Sequence, residues 1–313
     1  MAITASMVKE LREMTGSGMM DCKKALTAVE GDIEKAIDWL REKGLATAQK
    51  KAGRIAAEGI SFPLVTPDGK KAVVVEVNSE TDFVAKNEKF QSYVRKVAEQ
   101  ALETAAANLE AFLAEPSKED PSKTVADANA AQISVIGENL KIRRFRQLVE
   151  EEGVIIANTH MGGKIVTLVD IKTDVDNEAI REMGKNIAMQ VAALNPKYVD
   201  ESEVPQDFKD KEIEILSKQI AEDPKMAGKP EKVIAGAVQG RLKKELKDIC
   251  LMDQVYVKAE DGKQSVAQYV KEVAKAEGAN IRINGFIRFE TGEGLEKKQE
   301  DFAAEVAAQM AGN

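Results

Sequence analysis

Side chains able to do covalent chemistry are sparse in this sequence. Its one histidine, His160, would have to serve any Ser/His/Asp triad, and no GxSxG elbow is present to hold a nucleophile. Cys22 and Cys250 lie too far apart for a CxxC redox pair, are too few for a disulfide framework, and have no second soft ligand beside them in sequence. They read as small buried apolar residues in a reducing compartment. Asp174 and Asp176 could pair as general acid and base, but acidic residues after a strand usually cap or stay solvated, and nothing supplies a second catalytic partner. There is no GxxxxGK[ST] loop and no GxGxxG after a strand. These residue types fit a protein that binds something and is expected to hold no metal and no cofactor of its own.

The 313 residues allow two or three domains, and 43% apolar content is enough for cores of ordinary size. With 45 Lys+Arg against 53 Asp+Glu the formal charge is -8, so no net positive field draws nucleic acid to the surface. The opening MAITASMVKEL lacks the apolar core of a signal peptide, and no stretch approaches the ~20 apolar residues that span a bilayer. The expectation is a cytoplasmic protein without a membrane segment.

The elements that must position any site begin with three short helices. Met7, Val8, Leu11 and Met14 form one stripe that stops at Thr15-Gly16-Ser17-Gly18, and Ala25, Leu26 and Val29 form a second that stops at Gly31. Asp32 caps a third helix lined by Ile33, Ala36, Ile37 and Leu40, with Trp39 as local packing and Gly44 as its stop. A basic, alanine-rich link, Ala48 to Arg54, follows. A unit this small suits docking better than catalysis.

An internal duplication comes next. Glu58-Gly59 opens a strand, Thr66-Pro67-Asp68-Gly69 turns the chain, and Val73, Val75 and Val77 alternate up to Thr81-Asp82; Glu152-Gly153, Met161-Gly162-Gly163 and Ile165, Thr167, Val169 and Ile171 repeat the pattern up to Thr173-Asp174. A helix follows each hairpin, around Val94 to Ala101 and Ile187 to Leu194, and a strand closes each copy, Leu140 to Phe145 and Ile281 to Phe289. The second copy is interrupted by two charged helices with narrow stripes, Phe208, Ile213, Leu216, Ile220 and Ile234, Val238, Leu242, Leu246, broken apart at Asp223-Pro224 and Gly228-Lys229-Pro230. Such an arm pairs with itself or with a second subunit, which would give a homodimer or a two-to-two complex. Phe302, Val306 and Met310 share one face of a terminal helix. The polar, alanine-rich stretch from Glu103 to Ala131 reads as helix, loop and helix of low constraint, without a function.

The reading is therefore an α+β protein: a three-helix domain over 1–55, a first core subdomain over 56–149, a second over 150–294 with its arm at about 199–248, and a C-terminal helix over 295–313. The copies match in Thr-Asp at the end of the second strand, but only the first continues with an aromatic, Phe83. If Thr81 or Asp82 caps the next helix, Phe83 lies in its first turn, either as core packing or as an anchor for a protein partner.

The run Asn78-Ser79-Glu80-Thr81-Asp82-Phe83-Val84-Ala85-Lys86-Asn87 resembles a signature of the elongation factor Ts family, the guanine-nucleotide exchange factors of elongation factor Tu. Val8-Lys9-Glu10-Leu11-Arg12, with Thr15-Gly16-Ser17-Gly18-Met19-Met20-Asp21-Cys22-Lys23-Lys24-Ala25-Leu26, resembles the N-terminal signature of the same family. Ile136-Gly137-Glu138-Asn139, Ile142-Arg143-Arg144, Ile187-Ala188-Met189 and Gly285-Phe286-Ile287-Arg288-Phe289 extend the similarity along the chain. It weakens in 103–131 and in the arm.

The resemblance implies a ubiquitin-associated-like three-helix domain, two related α+β subdomains, an inserted helical arm and a C-terminal helical module. It also implies no bond chemistry and a partner GTPase, elongation factor Tu, whose magnesium is dislodged by Thr81, Asp82, Phe83 and Val84. In that role Phe83 is the wedge, and Asp82, as cap or as hydrogen-bond acceptor, orients it. Partner contacts are implied at Arg12, Met19, Met20, Lys23, Lys51, Ile136, Gly137, His160 and Val257. By its residues alone, His160 is a solvated turn residue. Lys258 departs from the family pattern, in which an apolar methionine can occur. A scaffold that recruits a partner through the three-helix unit is the competing expectation, but it leaves the aromatic break in the duplication unexplained.

Overall fold

The computed structural model describes residues 3–226 and 228–297, so the expected terminal helix with Phe302, Val306 and Met310 lies outside the described residues. Helix α1 (Ala5–Thr15) starts where the Thr4 hydroxyl accepts the Met7 N–H and ends at Gly16 in the left-handed region. Helices α2 (Met19–Ala28) and α3 (Ile33–Lys51) complete the three-helix unit, whose centre is Val8, Leu11, Cys22, Ala25, Leu26 and Ala36. Asp32 caps α3 by accepting the Lys35 N–H, and Trp39 packs on this small core, with the Lys43 ammonium over its ring.

Two expectations fail here. Met14 is exposed, because Val8 and Leu11 already fill the inward face of α1. Gly44 does not stop α3, which runs on to Lys51 and takes up part of the supposed link. A glycine stops a helix by turning left-handed; Gly44 keeps helical geometry and lies against a later helix, with Ala130 O and Ser134 Cβ each 3.9 Å from where its Cβ would be.

Strands β1 (Glu58–Val65), β2 (Lys71–Ser79) and β3 (Lys141–Val149) form an antiparallel sheet in the order β1-β2-β3. Between β2 and β3 the chain makes α4 (Asp82–Ala85), α5 (Glu88–Glu103), α6 (Leu109–Ala114) and α7 (Val125–Ile136). The second sheet, β4 (Gly153–His160), β5 (Ile165–Thr173) and β6 (Ile281–Glu290), has the same order. Its excursion carries α8 (Glu178–Leu194), α9 (Gln206–Ala221), α10 (Glu231–Ile249) and α11 (Val266–Glu277).

The sheets pack face to face, with Ala72 and Val74 against Ile155, Val166, Leu168, Ile287 and Phe289. Val73, Val75 and Val77 on the other face of β2 meet Phe90, Val94 and Val97 of α5, while Val169 and Ile171 of β5 meet Met183 and Ile187 of α8. The result is helix, sheet, sheet, helix. Both central strands are covered on two faces, which is why they read as nearly unbroken apolar runs.

The stretch expected to be loosely constrained contains structural core. Phe112 of α6 is fully buried against Phe145, with ring centroids 5.0 Å apart, and α7 buries Val125, Ala130 and Ile133. α7 is the counterpart of α11: both open with a capping box, and both end on a left-handed glycine, Gly137 and Gly278. In the arm, Leu216 and Ile220 of α9 pack with Val238, Leu242 and Leu246 of α10, so the two stripes cover each other. Among the described residues no helix is long and apolar enough to cross a membrane.

The duplication aligns differently from its Thr-Asp dipeptides. A Cβ on Gly59 would lie 2.2 Å from Val77 O, and one on Gly153 would lie 1.9 Å from Ile171 O, which fixes these two strand starts as equivalents. From there Ser79 matches Thr173, each donating its hydroxyl to the carbonyl two residues on at 3.0 Å. Glu80 matches Asp174, accepting the Asn139 N–H at 2.6 Å where Asp174 accepts the Asn280 N–H at 2.8 Å. Thr81-Asp82 and Thr173-Asp174 are therefore two positions out of step. Seven positions separate Glu80 from the helix cap Asn87, and three separate Asp174 from the cap Asn177; the difference of four is the length of α4. The first copy holds an inserted helical turn that the second lacks.

Candidate functional site

The inserted turn starts from Thr81, whose extended backbone and hydroxyl, accepting the Val84 N–H at 3.3 Å, make it the helix cap. Asp82 is the first helical residue and not the cap. Its carboxylate faces the Lys86 ammonium at 2.7 Å, which with the charge of Lys86 holds it below the usual carboxylate range. Ala85 is buried and Val84 packs partly on the first core, so the turn is seated on that side. Phe83 points the other way and is 80% exposed, which settles the choice between core packing and a free aromatic. In the second copy the corresponding stretch is short, and Val175 packs against the second core.

The backbone before Phe83 is tied down by Glu138. One carboxylate oxygen accepts the N–H groups of Glu80 and Thr81, each at 3.0 Å, and the other accepts the Thr81 hydroxyl at 2.6 Å. Glu80 returns the link to Asn139 and lies 3.5 Å from Arg54, while the Asn139 amide donates to Arg54 O at 2.8 Å. Lys51, the last residue of α3, donates to the carbonyl of Gly137, the glycine that ends α7, where a cation suits the helix terminus. Lys51, Ile136 and Gly137 thus stand in one hydrogen-bonded neighbourhood with Thr81, Asp82, Phe83 and Val84. Ile136 is half-buried in the first core and Gly137 is exposed.

Arg12 on α1 and Met19, Met20 and Lys23 on α2 are all exposed. Both neighbouring methionines face outward, Met19 57% and Met20 62% exposed. Cys22, Ala25 and Leu26 take the inward positions of α2 and leave none in its first turn. His160 is exposed at the end of β4, beside Met161, which is exposed as well, and there the Gly163 backbone lies against the first sheet, with Ser61 O 2.7 Å from where a Cβ would be. Val257 is exposed beyond the arm, its N–H held by Gln190 at 2.8 Å, and the neighbouring Lys258 ammonium is taken up by Asn186 at 2.8 Å. Neither His160 nor Val257 shares a hydrogen bond with the Phe83 turn among the described residues. Cys22 and Cys250 are buried, as their composition suggested.

Sequence reading gave Glu138 and Glu80 no role. Periodicity cannot reveal them, because both act through carboxylates on loop backbone; the one signal, for Glu138 alone, is an acidic residue directly after a helix-ending glycine. The arrangement as a whole offers a projecting aromatic on a fixed turn and exposed apolar and basic side chains on a small helical unit. Both are means of gripping a protein surface.

Residues 80–293 match the model of the family described as elongation factor TS. The chain is 49% identical over 308 residues to elongation factor Ts of Clostridium tetani, covering 98% of this chain and 99% of that protein. It is 48% identical to elongation factor Ts of Clostridioides difficile and 47% identical to that of Clostridium novyi, with the same coverage. On this similarity, which runs over nearly its whole length and includes the inserted turn, the chain belongs to the elongation factor Ts family.

Proposed function

We propose that this translation elongation factor binds elongation factor Tu–GDP and promotes GDP release by pressing the Thr81–Val84 turn beside the partner's nucleotide site, where it displaces magnesium and allows GTP to load. The observation that carries this reading is the exposure of Phe83 on a turn whose backbone is fixed from behind. A wedge needs bulk and stiffness: a phenylalanine has two side-chain torsions to order, and its turn is already ordered before contact. Magnesium demands near-ideal octahedral geometry at short distances, so a shift of about 1 Å in the partner groups that hold it weakens the site sharply.

Arg12, Met19, Met20 and Lys23 supply the second grip, and Lys51, Ile136, Gly137, His160 and Val257 complete the partner surface. Exchange follows from linkage: if the chain binds nucleotide-free partner more tightly than GDP-bound partner, GDP weakens the complex by the same factor. No bond is made or broken, so the chain acts as an exchange factor and not as an enzyme. It works in the cytoplasm and needs no nucleic acid, in keeping with its net charge of -8.

The test is release of a fluorescent GDP analogue from elongation factor Tu under excess unlabelled GDP, with and without catalytic amounts of the chain. Acceleration is expected. Its absence with an active partner overturns the reading.

A further inference from the structure

The two halves of the core differ at a second place, and it lies in contact with the first. After the glycine that ends α7 comes Glu138, then Asn139; after the glycine that ends α11 comes Ala279, then Asn280. The asparagines are equivalent, since each gives its N–H to the acidic residue that follows the central strand. Ala279 packs against the second core and carries no acceptor. The half that contains the inserted turn therefore also contains a carboxylate that grips it, and the half without the turn has a methyl group there.

We infer that Glu138 is the positioning residue of the exchange surface, the group that sets where Phe83 stands by holding the three donors just before it. This rests on the exchange reading above.

The chemistry favours a carboxylate over any other side chain. Two backbone N–H groups and one hydroxyl point at it, and only an ionised carboxylate accepts all three with none of its own hydrogens in the way. The Thr81 hydroxyl has one proton, given to Glu138, and its lone pairs remain free to cap α4 through the Val84 N–H. Glu138 thus orients the cap itself. A glutamine could accept the two N–H groups through its oxygen, but its amide would meet the hydroxyl as a second donor.

The grip also reaches the docking unit. Glu138 follows Gly137, whose carbonyl takes the Lys51 ammonium, and α3 lies along α7 at Gly44. Through α7 the three-helix unit and the Phe83 turn are held in one frame, so a partner seated on Met19 and Met20 meets Phe83 at a set distance.

The experiment uses the full chain and elongation factor Tu loaded with a fluorescent GDP analogue, comparing wild type, E138A, E138Q, F83A and E138A/F83A. Limiting release rates and half-saturating concentrations are measured separately, together with amide exchange at Glu80 and Thr81. With Glu138 as positioner, E138A loses on the order of tenfold in limiting rate, its half-saturating concentration moves less than about twofold, and it adds no further loss in the F83A background. Exchange at the Glu80 and Thr81 amides rises while β2 and β3 stay protected.

Failure to accelerate by the wild type overturns the exchange reading itself. With the wild type active, three results overturn the positioning role: a wild-type rate in E138A, a loss seen only in half-saturation, or a loss of equal size with and without Phe83. If E138A does not fold, E138Q carries the same comparison, with a smaller expected loss.

Discussion

The carboxylate of Glu76 accepts the backbone N–H of Gly292 at 2.8 Å, joining the central strand of the first sheet to the turn just after the last strand of the second. Gly292 can come this close because it has no Cβ; one added there would lie 2.1 Å from Ala57 O. Glu76 is fully buried, with Arg143 at 2.8 Å and Arg144 at 2.6 Å, and Arg144 stacks over Phe289 of the opposite sheet at 4.1 Å. One buried charge thus holds both halves of the core.

Glu76→Gln is expected to destabilise the fold by about 3 kcal/mol, because it leaves two guanidiniums around a neutral group. Burial alone would raise the Glu76 pKa, but the Gly292 N–H, Arg143, Asn78 and Arg144 together bring it below its usual range. A depressed carboxylate adds stability above its unfolded value, and that stability is lost as pH falls through the folded one. Urea midpoints measured between pH 7 and 3 should fall steeply in the wild type near the acid end, and less steeply in the variant.

Asp170 is the opposite case. One of its oxygens accepts the Asn284 amide at 2.9 Å and the other is buried without a partner, while Glu150 faces it. Burial first, and the Glu150 carboxylate after it, push its pKa up to about 6. A raised acid adds stability below its unfolded value and loses it as pH climbs through the folded one. Asp170→Asn should therefore stabilise the protein at pH 7.5 by about 1 kcal/mol, and the gain should shrink towards pH 4. Thermal midpoints at the two pH values check this, and an equal gain at both would remove the ionisation from the account.

How much of this could be read from residues depended on whether the signal was local. The three helices, both hairpins, the arm stripes and the Thr81 turn follow from caps, alternation and spacing within a few residues. The stretch from Glu103 to Ala131 did not declare itself, because α7 buries small residues such as Ala130, and its apolar face is recognisable only against α3 and the first sheet. The phase of the duplication was missed because Thr-Asp occurs in both halves, whereas equivalence is set by Gly59 and Gly153, where one strand crosses another too closely for a side chain. Glu138 was legible as part of a family signature, but not as the acceptor for a turn 57 residues earlier.

Gly44 offers a test of the α3–α7 contact. It lies in the interior of a helix, where glycine costs up to about 1 kcal/mol relative to alanine. The nearest atoms to an added Cβ are at 3.9 Å, an ordinary contact distance. Gly44→Ala is expected to raise stability by about 0.5–1 kcal/mol with exchange unchanged, whereas Gly44→Leu, too long for the space, should part α3 from α7 and lower both. Thermal melts alongside GDP-release assays distinguish the two.

Phe83 gives the most direct prediction, because stability and activity should part company there. A side chain that is 80% exposed contributes little to folding, so Phe83→Ala should leave the circular dichroism spectrum intact and stability within about 0.5 kcal/mol. If the same ring is a buried aromatic anchor in the complex, its truncation costs about 2 kcal/mol or more, which is on the order of 30-fold in partner-dependent GDP release. Phe83→Leu keeps an apolar side chain but loses the flat, stiff ring, and should fall between the two. Since the Thr81 cap and the Glu138 grip involve only residues before Phe83 and the Val84 N–H, none of these changes disturbs the turn, and the loss reports on the ring alone. A Phe83→Ala chain that releases GDP at the wild-type rate would show that the aromatic is not what disturbs the partner's site.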